Sequence, residues 1–433
     1  MISRIRHLLN RNEYKTILEN MLSLTGLQFA SYILPLITLP YLTWILGPEL
    51  FGLTQYAISL ITYFQFFTDY GFNLSATREL AIVKEDNEKV SRIFNSVMFI
   101  KILLCIVSFI ITLILITFIS KFNKDAIVYL LTFGMVIGYI LFPTWLFQGM
   151  EYMKYTSMLN ILGKVIFTVL IFLLIHKADD YILVPIINSL GLIVVGVIGL
   201  YIAITTFNIK IEMPTREDII YHLKEGWHVF ISTIAINMYT TTNTFLLGLL
   251  TNNTLVGYYS IAEKMIMAVN GLLNPISQAL YPYISRSVND DKKTSIIFIR
   301  KLTKLMAVIG AILSIGLLVF SKTIVLTLFG PEYSSSIILL QIMSIIPLAV
   351  SLSTIFGIET MLTFNYKRAF TRIVMLGGLL DITLSIILIH FFNEVGTAIS
   401  FAITEIFITI AMFLFLQNKG IKIIGKLNNN NKD

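Results

Sequence analysis

A chain of 433 residues that is 56% hydrophobic and only 13% charged, with mean hydropathy +0.81, cannot have most of its surface in water, because soluble domains carry about 25% charged residues. Its single cysteine, Cys105, excludes an intrachain disulfide and a thiolate metal cluster. The net charge of +7 follows from where the lysines and arginines fall, and it says little about nucleic acid.

A bilayer core of about 30 Å takes about 20 apolar residues per helix. The expected fold class is an all-α membrane protein. Hydrophobic segments in the first half fall at 20–46, 53–70, 94–119, 126–148, 156–176 and 181–206. Those of the second half fall at 226–250, 257–280, 303–328, 335–360, 373–392 and 396–417. The basic start, with Arg4, Arg6, Arg11 and Lys15, precedes a run too long for a signal peptide, so 20–46 reads as a retained first helix. The longest intervening stretches, 71–93, 207–225 and 281–302, read as loops. With the N-terminus inside, 25 Lys and Arg lie in inside segments and 4 in outside loops, namely Lys121, Lys124, Lys177 and Lys322. That asymmetry predicts both termini in the cytoplasm. The chain divides into a basic segment 1–19, an N-lobe 20–208 (helices one to six), an inter-lobe loop 209–225, a C-lobe 226–417 (helices seven to twelve) and a polar tail 418–433.

A faint repeat joins the halves. Leu46-Gly47 and Phe51-Gly52 at the first outer hairpin match Leu247-Gly248 and Val256-Gly257-Tyr258 at a later one. An even number of helices separates them, which predicts two parallel six-helix lobes around a central cavity. Gly-containing turns recurring by chance are the alternative.

Polar residues in lipid cost free energy unless they face the bundle interior or water. Gln28, Ser31, Pro35 and Thr38 share one face of the first helix; Gln55, Ser59, Thr62 and Asp69 share one face of the second. In the seventh, Asn237, Thr241, Thr244 and Gly248 align beside Asn243; in the eighth, Glu263, Asn270, Asn274 and Gln278 do. These stripes predict a wet cleft, with interhelical hydrogen bonding as the other reading. Lys101, Lys164 and Lys264 are cations inside spans, placed either to snorkel or to meet an anion. Asp69, Glu263, Asp381 and Glu405 are candidates for proton or sodium coupling. Pro35, Pro40, Pro143, Pro275 and Pro347 mark sites of helix kinking. Enzyme signatures are missing: no HExxH, no Gly-rich phosphate loop, no nucleophile elbow, and five scattered histidines. No catalytic residue, metal or cofactor is expected.

Several stretches, taken in order, resemble the Wzx-type O-antigen flippases, the polysaccharide-exporter branch of the superfamily that also holds multidrug and toxin extruders and lipid II flippases. They are Leu46-Gly47-Pro48-Glu49-Leu50-Phe51-Gly52, Asp69-Tyr70-Gly71 and Ser75-Ala76-Thr77-Arg78-Glu79. Pro143-Thr144-Trp145-Leu146-Phe147-Gln148-Gly149, Val256-Gly257-Tyr258-Tyr259-Ser260-Ile261-Ala262-Glu263-Lys264 and Phe329-Gly330-Pro331-Glu332-Tyr333 follow. The resemblance implies a cavity lined mainly by helices one, two, seven and eight. It implies alternating-access transfer of an undecaprenyl-pyrophosphate-linked oligosaccharide across the bacterial inner membrane. The pathway's polymerase and chain-length regulator are implied partners. Lys264 and Arg78 lie in matched motifs and become candidate substrate contacts. Lys101, Lys164, Gln28, Asn237, Asn243, Asn270 and Asn274 join them on physical grounds. The lipid II flippases carry arginines in the first helix, where this chain has Gln28. The competing readings are a cation exporter, whose cavity should be acidic and aromatic, and a membrane polymerase or glycosyltransferase, which should show a large outer loop.

Overall fold

The computed structural model describes residues 11–290, 292–421 and 423, without the side chains of 11–33, 232–240, 275, 278, 279, 282, 283, 286, 289, 290 and 293. The side chains of the expected site residues Gln28 and Asn237 therefore lie outside the description, as do most of the segment 1–19 and of the tail 418–433. Among the described residues there is no β-strand. Eight helical segments there are long and apolar enough to cross a membrane.

The first helix, α1, runs Arg11–Asp69 and breaks at Gly47, whose φ of 67° is open to glycine at little steric cost. Short α2 (Phe72–Val83) precedes α3 (Asn87–Phe118), α4 (Ser120–Asn123), α5 (Ala126–Leu141), α6 (Thr144–Gly149), α7 (Met153–Leu174) and α8 (Leu183–Thr206). The second half holds α9 (Arg216–Leu250), α10 (Asn253–Gly271), α11 (Asn274–Asp290), α12 (Lys292–Leu328), α13 (Ser335–Met343), α14 (Ile346–Thr354) and α15 (Lys367–Asn418). A π-helical stretch, Ile355–Leu362, extends α14, and α15 breaks at Asn393 (φ 49°). The 59-residue α1 and the 52-residue α15 would reach about 90 and 80 Å if straight. That exceeds a bilayer, so each break makes two membrane-length rods from one helix.

The stretches read as loops are largely helical. Residues 72–83 form α2, α3 starts at Asn87, α9 starts at Arg216, and 281–302 is helix on both sides of 291. Side-chain caps explain the new starts: Asp86 accepts from the Lys89 amide and Thr215 from the Asp218 amide. Conversely, the segment 257–280 divides at Leu272-Leu273, and 126–148 divides at Phe142-Pro143, where the residue before proline is extended.

The halves meet most closely at the end bearing the Gly47 turn. A Cβ on Gly52 would overlap the Asn253 carbonyl, and one on Gly257 would overlap the Pro48 carbonyl. The two contacts are reciprocal: each glycine sits on the carbonyl four residues before the other. Gly248 likewise admits the Tyr56 ring, which stacks against Phe122. Around this seam Trp44 Nε1 donates to the Leu328 carbonyl (2.7 Å), and Lys121 Nζ donates to the carbonyls of Leu249 (3.2 Å) and Thr251 (2.7 Å). One apolar core runs through the first half and across the seam, from Phe51 and Ile61 to Tyr259 and Leu339. A second, separate core joins α11, α12, the π segment and the end of α15, through Ile284, Met306, Phe356, Met412 and Ile423.

The segment between the halves is clasped onto the first. Arg92 Nε donates to Asp218 Oδ2 (2.8 Å), Asn95 Nδ2 donates to the Lys210 carbonyl (2.8 Å), and His222 Nδ1 lies 3.4 Å from Glu79 Oε2. Arg92 holds the Asp218 carboxyl below its usual range. Burial holds the His222 imidazole below its own, against the pull of Asp218 and Glu225 and with Arg92 opposing protonation.

Two outcomes follow from this packing. Gly52→Ala should cost about 1–3 kcal/mol by overpacking, read as a lower thermal midpoint. Gly316→Ala, where nothing lies within 4 Å of the added methyl, should be neutral or slightly stabilising; equal midpoints for the two variants would refute the close approach. For the clasp, a depressed imidazole means the unfolded chain takes a proton that the folded one resists. Stability should therefore fall as pH drops below about 6.5, while the Asp218 contribution is lost only below about pH 4. His222→Gln should flatten a melting profile between pH 7 and 5. Arg92→Gln should change the acidic limb most, with a smaller change in the imidazole window because it removes a charge that opposes His222 protonation.

Candidate functional site

Three polar constellations lie within the helical assembly. The first opens on a cavity of about 290 Å³ enclosed by both rods of α1 with α7, α8 and α10. Lys264 reaches it from α10, Thr38 and Gln55 from the two rods of α1, and Asn188 from α8. Leu42, Phe51, Phe167 and Met267 supply apolar wall. Lys264 stands 11 residues into α10, about 16 Å along its axis. Among the described residues no carboxylate lies within ion-pair distance of it. Consecutive helical residues point about 100° apart. Glu263 is accordingly turned away from the cavity and accepts a hydrogen bond from Thr244 Oγ1 (3.0 Å).

The second constellation contains a neutralised cation. Lys101 Nζ donates to Asp69 Oδ1 at 3.2 Å, with side chains only 2% and 7% exposed. The ammonium also stands 5.5 Å from the centre of the Tyr139 ring, and the Tyr139 hydroxyl accepts from Asn73 Nδ2 (3.0 Å). Asn73 Oδ1 in turn accepts from Thr144 Oγ1 (3.0 Å), which ties α2 to the Phe142-Pro143 break. Lys101, a candidate either to snorkel or to meet an anion, and Asp69, a candidate coupling acid, are paired with each other, since a lone charge in hydrocarbon is costly and a partner on the neighbouring rod offsets it.

The third centres on Asp381 in α15. Its carboxylate accepts from Asn243 Nδ2 (2.9 Å), Ser400 Oγ (3.0 Å) and Thr404 Oγ1 (3.3 Å). Ser385 Oγ donates to Asn243 Oδ1 (2.6 Å). Both rods of α15 and α9 thus converge on one buried acid, and Glu263 and Glu405 lie within electrostatic range of it.

Among the described residues, helices one, two and eight line the cavity together with α7 and α8. Of the seventh helix, whose side chains 232–240 are outside the description, Asn243 and Thr244 turn into the second half, toward Asp381 and Glu263. Arg78 is exposed on α2, Lys164 is half-exposed on α7, and neither lines the cavity. Asn270 is half-buried with its Oδ1 enclosed and unpartnered, and Asn274 is exposed at the start of α11. Asn188 was overlooked. Its signal was that it is the sole amide side chain in the apolar run Leu183–Thr206.

Removing one member of a buried pair leaves an uncompensated charge, at about 3–5 kcal/mol. Lys101→Met should therefore lower the thermal midpoint sharply. Lys101→Met combined with Asp69→Asn should recover much of the loss, and a double variant as unstable as the single would refute the pairing.

Residues 17–288 match the family model described as polysaccharide biosynthesis protein. The chain is 35% identical over 405 residues to the Escherichia coli (strain K12) protein named "Putative O-antigen transporter", covering 94% of this chain and 98% of that protein. In fold it resembles the lipid II flippase MurJ in an inward closed conformation, with TM-score 0.72, 13% identity, and 93% and 90% of the two chains covered. The inward-facing conformation of a multidrug resistance MATE family transporter matches with TM-score 0.72, 12% identity, and 91% and 96% covered. A family match over most of the first two-thirds of the sequence and a relative alike along nearly its full length lead to one conclusion: the chain belongs to the polysaccharide biosynthesis protein family.

Proposed function

We propose that this protein is a flippase that carries a lipid-linked oligosaccharide, such as an undecaprenyl-pyrophosphate-linked O-antigen repeat unit, across the bacterial inner membrane by alternating access. The observation that carries the reading is Lys264: a cation midway along α10, with no carboxylate within ion-pair distance among the described residues, in a cavity with the amides of Gln55 and Asn188. A cation suits a pyrophosphate, amides suit sugar hydroxyls, and a cation exporter would need the opposite charge. The relative named as an O-antigen transporter and the fold shared with a lipid II flippase support the same substrate class.

The architecture proposed is twelve spans in two six-helix lobes, residues 20–208 and 226–417, with both termini cytoplasmic. The basic-residue asymmetry supports it, as do the two rods in each of α1 and α15. The reciprocal contact of Gly52 and Gly257 supports a two-fold relation between the lobes. In that orientation the glycine seam closes the outer side, so the conformation faces inward. Asp381, with Asn243, Ser400 and Thr404, is the proposed cation-coupling centre, because a carboxylate ringed by oxygen-bearing side chains suits a proton or a small hard cation. Glu263 and Glu405 tune its field. The pathway's polymerase and chain-length regulator are the proposed partners.

Deleting the protein from its native strain should abolish the surface polymer while single lipid-linked units accumulate on the inner leaflet. Lys264→Gln should cut transfer in vesicles by about thirtyfold, as expected when a desolvated anion loses its partner, and Lys264→Arg should retain most of it. Asp381→Asn should leave binding intact and remove the dependence on an ion gradient. An unchanged leaflet distribution on deletion would overturn the reading.

A further inference from the structure

A second cavity, of about 800 Å³, shares no lining residue with the first and opens at the other end of the molecule from the glycine seam, within the second core. Its volume lies in the range of small-ligand sites, roughly 300–1,000 Å³. Arg300 and Lys304 lie on it one helical turn apart on α12, with Ala307 on the same face a turn further on. Leu352, Phe356 and Phe413, with Thr409, line it from α14, the π segment and α15. The lining thus joins two cations on α12 to mostly aromatic and aliphatic side chains of other elements. The flanking residues Leu305, Val308 and Ile410 are all more than half exposed. An apolar rim of that kind suits hydrocarbon, not water.

We propose that this cavity is a binding site for one anionic glycerophospholipid, its phosphate on Arg300 and Lys304 and an acyl chain along Phe356 and Phe413. Charge complementarity selects the headgroup: basic side chains at the membrane surface attract anionic lipids, and two on one helical turn can meet a single phosphate. The apolar walls exclude free phosphate as the natural occupant, since most of the cavity would then hold nothing it favours. Ile423 also lines the cavity, so the bound lipid would touch α12, α14 with its π extension, the end of α15 and the chain that follows it. Those elements make up the core that is not joined to the first half. A lipid there would fix the shape of the part of the second half that the glycine seam does not hold. The site is independent of the proposed substrate cavity.

The test uses the full-length protein, delipidated in detergent and then exposed to dioleoylphosphatidylglycerol or dioleoylphosphatidylcholine, with retained lipid counted by native mass spectrometry. One phosphatidylglycerol should be retained per chain, and phosphatidylcholine should not. Arg300→Gln with Lys304→Gln should weaken retention about tenfold or more. Ala307→Trp, which keeps both charges but fills the cavity, should abolish it, with Ala307→Leu serving if the larger residue prevents folding. Lys264→Gln should retain the lipid fully, which separates this site from substrate binding. Equal retention of both lipids, displacement by millimolar inorganic phosphate, or retention unaffected by filling the cavity would overturn the proposal.

Discussion

Hydrocarbon offers no hydrogen-bond partners, so every polar group carried into it must find one inside the protein or face a water-filled space. That constraint sorts the ionisable residues of this chain. Asp69 and Lys101 neutralise each other between the second rod of α1 and α3. Asp381, on the first rod of α15, draws three donors from α9 and the second rod. Glu263 takes the Thr244 hydroxyl. Lys264 differs: its side chain meets a cavity with amide groups instead of a carboxylate. The consecutive residues Glu263 and Lys264 are divided by helical geometry alone, one facing the packed interior and the other the cavity.

The same constraint explains the seam. Tight contact in lipid cannot draw on the hydrophobic effect as in water, so it relies on close van der Waals approach between small residues. Gly52 and Gly257 let two backbones touch, and Gly248 lets the Tyr56 ring lie against α9. The hydrogen bonds of Trp44 and Lys121 to helix-end carbonyls then occupy acceptors that the helices leave open. The seam is also crossed by the apolar core that joins Phe51 and Ile61 to Tyr259 and Leu339, so these contacts and that core hold the halves together at this end. The core around Ile284 and Phe356 is separate from it.

Much of the candidate site was legible as residue types but not as partners. Helical spacing put Thr38 and Gln55 on polar faces, Lys264 stood out as a cation within a span, and all three line the cavity. The same spacing put Asp69 and Thr244 on polar faces, and those side chains meet other helices. Periodicity reports which side of a helix is polar, not what stands opposite it. Asn188 shows the converse: one amide in an apolar run makes no stripe, yet its position against Lys264 puts it in the site.

The sequence by itself determined that this is a helical membrane protein, roughly where its spans lie, and which charges would need an answer, because apolar length and charge cost are local properties of the chain. It also carried the glycines of the two matching hairpins. Only the tertiary structure decided that those glycines meet, that Lys101 is neutralised while Lys264 meets an amide-lined cavity, and that Asn243 turns toward Asp381. These outcomes depend on contacts between residues far apart in sequence, such as Gly52 with Asn253 and Asn243 with Asp381, and no pattern within a single helix encodes its neighbour.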